Sequence, residues 1–142
     1  TSTPIHTGEE IYLRQNYKHL IESHAVHVIG PDPADVGGLA EIKWIAEHAD
    51  LHGIAMAPHG TANGIFGLAA LIQVCAVMPD NLIAFEYPAR FEPFWYDITE
   101  GFDGMPVKGG LIDVPDRPGL GINFNVKEAK KHLTEGDANF FD

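Results

Sequence analysis

Glu9, Asp32, His59 and Glu86 recur at intervals of roughly 25 residues, about the length of one strand–helix unit. Each closes a short, mostly apolar run. Thr3-Pro4-Ile5-His6-Thr7-Gly8 leads to Glu9, and His24-Ala25-Val26-His27-Val28-Ile29-Gly30-Pro31 leads to Asp32. Ile54-Ala55-Met56-Ala57-Pro58 leads to His59, and Asn81-Leu82-Ile83-Ala84-Phe85 leads to Glu86. A carboxylate beside an imidazole holds one ring nitrogen, sets the tautomer and leaves the other nitrogen as a base. Asp32 and His59 suit that pair. Glu9 is a hard oxygen donor for Mg²⁺, but the ion wants octahedral geometry and more than one carboxylate, so Glu9 cannot hold it alone. Glu86, on the far side of His59 from Asp32, can donate a hydrogen bond to a developing oxyanion where burial raises its pKa. Metal, base dyad and carboxylic acid around one mouth suit proton abstraction next to a carboxylate, through a metal-stabilised enediolate.

Taken singly, each residue has a plainer role. Glu9 suits a helix N-terminus, Asp32 between two prolines suits a turn, and Glu86 can pair with Arg90. His59 before a glycine suits a loop cap. The joint reading rests on all four standing at strand tips.

The elements that must carry them follow from the pattern. Apolar runs bounded by Gly and Pro predict buried parallel strands over residues 1–7, 25–29, 54–59 and 82–86. Helical periodicity predicts helices over residues 11–23, 39–51 and 64–78, the second with Ile42, Ile45, Ala46 and Ala49 as its apolar face. This β-α-β-α-β-α-β order gives a parallel sheet with right-handed crossovers. Charged groups at every tip favour half of an eight-stranded (β/α)8 TIM barrel over an open sheet, whose site sits at one switch point. After Glu86 the pattern changes. An aromatic stretch at residues 91–96 suits core or subunit contact, residues 108–114 a small strand, and residues 115–119 a turn. Residues 126–133 suit a short helix capped by Asn125. The division expected is residues 1–100 as partial barrel and 101–142 as a C-terminal extension, its last residues loose apart from Phe140 and Phe141.

The net charge of −11, a pI near 5.0 and nine basic residues without a basic run argue against nucleic acid and anionic membrane as partners. Residues 64–78 are broken by Gln73 and too short to span a bilayer. A single cysteine, Cys75, cannot form an internal disulfide, so a reducing cytoplasm is expected and the thiol is read as inert. The chain opens Thr1-Ser2-Thr3-Pro4 without Met, and is expected to be the tail of something longer. His19, His24, His27, His48, His52 and His132 read as surface or helix-end residues; His24 and His27 are spaced as opposite faces of a strand.

Thr7-Gly8-Glu9, Gly30-Pro31-Asp32 with Gly37-Gly38-Leu39, Ala57-Pro58-His59 and Phe85-Glu86-Tyr87 together resemble the last four barrel strands of the enolase superfamily, mandelate racemase subgroup. The acid-sugar dehydratases of that subgroup are the most similar. The resemblance runs over residues 1–133 and implies a Mg²⁺-dependent hydro-lyase acting on a sugar acid. It gives Glu9 as a metal carboxylate, His59 as general base, Asp32 as its partner and Glu86 as the acid contacting the enolate. Residues 108–133 resemble the return that packs on a capping domain, and at least a dimer is implied. The family's first two metal carboxylates, its capping domain and an earlier-strand general acid have no counterpart here. His6 stands where the family more often has a small residue. Racemisation or epimerisation of a 2-hydroxy acid shares the first half-reaction. A non-catalytic half-barrel that needs a complementary N-terminal half is the reading from a different class.

Overall fold

The computed structural model describes residues 2–60, 64–101 and 107–142. Three strands, β1 (His6–Thr7), β2 (Val28–Ile29) and β3 (Ala55–Met56), form a parallel sheet in the order β1-β2-β3. His6 pairs with Val28 and Val28 with Ala55, while Thr7, Ile29 and Met56 make the next row. A parallel bridge from Met56 to Leu82 continues the sheet. Strands therefore sit beside one another in chain order without a reversal. That order suits a barrel wall, and it is also the order within one half of a doubly wound sheet, which turns back only at its switch point.

The helices α1 (Arg14–Glu22), α2 (Leu39–Leu51) and α3 (Gly64–Cys75) are the crossovers. The expected face of α2 is the one that is buried: Ile42, Ile45, Ala46 and Ala49. Tyr17 and Ile21 of α1 meet them, and Ile29 and Met56 point from the sheet into the same core, with Leu71 and Val74 of α3 closing it. Each Ile or Leu side chain fully buried here contributes about 1.5–3 kcal/mol. Burial pushes the Cys75 thiol up to about 12, consistent with an inert cysteine.

The strands are shorter than the apolar runs predict. Only two residues of each of the first three runs pair in the ladder, and the run at 82–86 makes a single bridge, although Ile83 N–H still donates to Met56 O and Glu86 N–H to Pro58 O. The small strand expected at 108–114 is one antiparallel bridge, Lys108 to Leu111, closing a turn. The aromatic stretch instead forms a helix, α4 (Pro93–Asp97), started by its proline. An antiparallel pair of β4 (Thr99–Glu100) and β5 (Asn123–Phe124) follows. The helix after Asn125 is α5 (Val126–Ala129), and Asn125 Oδ1 accepts from Glu128 N–H as a cap should. These C-terminal pieces lie on the outer side of α3, where Phe91, Ile112, Leu120 and Ile122 pack on Leu68, Ala69 and Ile72. No helix among the described residues is long and apolar enough to cross a membrane.

Candidate active site

The parallel strands deliver Glu9, Asp32, His59 and Glu86 to one end of the sheet. Glu9 stands two residues past β1, after a buried Gly8 whose φ is 121° and whose neighbours are the Tyr17 ring and Ile29. The Tyr17 hydroxyl lies 2.5 Å from Gly8 O and 2.9 Å from Ile11 O and donates into that pair. Burial and the nearby Asp32 charge push the Tyr17 pKa far above its ordinary value, so it serves as a fixed donor under the Glu9 turn. Nothing in the local pattern singles out Tyr17 for this; only the fold brings it beneath Gly8.

Asp32 is buried, with 1% of its surface exposed. Its Oδ1 accepts from Ala34 N–H at 2.7 Å, the turn expected between the two prolines, and its Oδ2 lies 2.7 Å from Nδ1 of His59. The turn and the dyad are thus the same residue doing both. An ionised Asp32 accepts from Nδ1–H, which fixes the tautomer and directs Nε2 into the mouth. There Nε2 stands 3.7 Å from Glu9 Oε2 and 3.5 Å from Glu86 Oε2. Burial alone would lower the His59 pKa. The hydrogen bond from Asp32 and the charges of Glu86, Asp32 and Glu9 outweigh it and hold the imidazole above its ordinary value.

The plainer roles do not describe Glu9 and Glu86. Helix α1 begins at Arg14 with no acidic residue in its first turn, and Arg90 pairs with Glu92 at 3.1 Å. Glu86 keeps 42% of its side chain exposed. Glu9 is 56% exposed. Its carboxylate fits as one hard oxygen donor of a Mg²⁺ set, and among the described residues no group of three His, Cys, Asp or Glu is arranged to complete one.

His6 lies just below this rim. Its Nε2 is 3.1 Å from Ala57 O, reaching from β1 across β2 to the segment that carries His59. It passes over Gly30, where an added Cβ would run into both the His6 ring and the Ala57 carbonyl.

Among known proteins, the chain is 36% identical to D-xylonate dehydratase of Haloferax volcanii over 99% of its own length and 33% of that protein. It is 32% identical to D-galactonate dehydratase of Variovorax paradoxus, over 86% of this chain and 32% of that one. A mandelate racemase/muconate lactonizing enzyme-like protein from Rubrobacter xylanophilus superposes with a TM-score of 0.82 at 38% identity, covering 96% of this chain and 34% of the other. The 3,6-anhydro-D-galactonate cycloisomerase of Zobellia galactanivorans superposes at 0.81 with 27% identity, over 95% and 37%. The chain thus spans about a third of the length of the curated relatives it matches. Residues 1–129 match the family model for enolase C-terminal domain-like proteins, and with four tip residues, chain-ordered strands and these relatives agreeing, the chain belongs to the enolase superfamily in its mandelate racemase-like branch.

Proposed function

We propose that this chain carries the proton-transfer side of an acid-sugar dehydratase. The observation that carries the reading is the 2.7 Å dyad of buried Asp32 and His59, with Nε2 facing the mouth. His59 Nε2 takes the α-proton of an aldonate, and the electron pair left behind moves into the carboxylate to give an enediolate. Asp32 holds the imidazolium that results. Collapse of the enediolate expels the β-hydroxyl, which takes the proton back from the His59 imidazolium and leaves as water. The enol that remains tautomerises to a 2-keto-3-deoxy acid. Glu86, on the opposite side of Nε2 from Asp32, contacts the enediolate oxygens. Mg²⁺, when bound, would supply positive charge at the substrate carboxylate; Glu9 fits as one of its oxygen ligands, and the other carboxylates come from outside this chain.

The proposed setting is a cytoplasmic homo-oligomer in which residues 1–100 complete a barrel with an N-terminal half and residues 101–142 return toward a capping domain. Racemisation or epimerisation begins with the same abstraction and parts from dehydration only afterwards, so the product distinguishes them. The chain, supplied with a polypeptide providing the remaining strands, is incubated with aldonates including D-xylonate and D-galactonate in ²H₂O. Dehydration gives a 2-keto-3-deoxy acid that disappears in His59→Asn. Deuterium incorporation at the α-carbon with no keto product would replace this reading by racemisation. Neither signal from the folded complex would leave the chain a non-catalytic half-barrel.

A further inference from the structure

His6, Val28 and Ala55 form one row across the sheet, while Ile29 and Met56 of the next row point into the core. Side chains alternate along a strand, so the His6 row stands on the face turned away from the helices. From there the His6 ring passes over Gly30 and brings Nε2 to 3.1 Å from Ala57 O. The register explains why that carbonyl takes a side-chain donor. Ala55 N–H donates to His27 O, and Ala57 N–H donates to Ile29 O. In a parallel ladder of this phase, the residue whose N–H binds the carbonyl of residue 29 has its own carbonyl accept from the N–H of residue 31. Residue 31 is Pro31, which has no N–H. The ladder between β2 and β3 therefore stops one bond short, just before Asp32 and His59. The His6 imidazole supplies the donor in its place. Gly30 leaves it the passage, since a Cβ there would meet both the ring and the Ala57 carbonyl.

We propose, resting on the reading of His59 as the base, that His6 is a positioning residue for the His59–Asp32 pair. Its Nε2–H replaces the main-chain donor that Pro31 lacks and ties the tip of β3 across β2 to β1. Pro31 immediately precedes Asp32, and Ala57 stands two residues before His59, so the bond closes the sheet one step below the 2.7 Å contact of the pair. Glu86 N–H to Pro58 O holds the same segment from its other side. What His6 sets is thus the distance from the β3 tip to Asp32, not the presence of the strand. A base displaced by a fraction of an ångström loses rate without losing its chemistry. The donor is Nε2, which separates the role from ring bulk. A glutamine carries its NH₂ at about the reach of Nε2, whereas an asparagine stops at the reach of Nδ1.

The test compares His6→Gln and His6→Asn in two settings. In the full 142-residue chain, imidazole ¹⁵N–¹H spectra are expected to show His6 protonated at Nε2. The His59 Nδ1–H resonance, which reports the bond to Asp32, should persist in His6→Gln and be lost to solvent exchange in His6→Asn. In the enzyme assembled with the complementary strands, His6→Asn should lower the kcat of α-proton exchange about 10–10²-fold with KM little changed, and His6→Gln should restore it. His6 bare at Nε2 would overturn the proposal without any variant having to fold. A His59 Nδ1–H resonance unchanged in folded His6→Asn, or equal rates for the two variants, would overturn it as well. His59→Asn measured alongside keeps the two readings apart: exchange that survives there strikes the base, and the Nδ1–H resonances still decide on His6.

Discussion

The 2.7 Å contact between His59 Nδ1 and Asp32 Oδ2 ties the charge of the base to its tautomer. Burial opposes the imidazolium, but the Asp32 hydrogen bond and the charges of Glu86, Asp32 and Glu9 outweigh it, so the folded pKa lies above the unfolded one. The stability this contributes is fully present below the unfolded imidazole pKa and is lost as pH rises through the raised folded value. An NMR titration of His59 in the metal-free chain should therefore show a midpoint above that of an ordinary histidine, and Asp32→Asn should bring it down. A midpoint unmoved by Asp32→Asn would sink this account. In the assembled enzyme His59→Asn should lower kcat by about 10²–10⁴-fold, the usual worth of a general base. Tyr17→Phe removes the donor shared by Gly8 and Ile11 carbonyls, and should cost about 1–3 kcal/mol in denaturant unfolding. The four tip residues were legible because each ends an apolar run. Tyr17 was not, because a hydroxyl meeting a carbonyl nine residues earlier leaves no local pattern.

Helix α2 was legible to the residue because one periodic face, Ile42, Ile45, Ala46 and Ala49, is what the core buries. Ile45→Ala should cost about 2–5 kcal/mol by thermal or denaturant unfolding, since α1 and the sheet enclose the site on all sides. Helix α4 was not legible. Five residues of Pro, aromatics and Asp carry no helical stripe, and none of them is buried. A local bond closes that stretch instead, Thr99 Oγ1–H to Trp95 O at 2.7 Å. The predicted strands overran for a related reason: apolar character marks burial, while a ladder also needs a partner at every step, and the run at 82–86 has one bridge. The contact of His24 with His52 was hidden by distance, since the two rings meet only when α1 and α2 pack.

For the whole molecule, β1 and the Leu82 segment are the two ends of the sheet order. His6 and Thr7 of β1 are exposed, as is Ile83 beside Leu82. Unpaired edges of this kind recruit further strands. Sedimentation of the isolated chain should show association that grows with concentration and is suppressed when the complementary strands are supplied; a strictly monomeric chain would argue against open edges. The chain-ordered strands carry a further consequence. Every group of the proposed proton-transfer rim rides on neighbouring units, so the rim forms one uninterrupted sector with two seams. Such a sector is a natural unit of exchange between relatives. Grafted in place of the matching third of D-xylonate dehydratase, it should retain α-proton exchange while the choice of sugar follows the recipient.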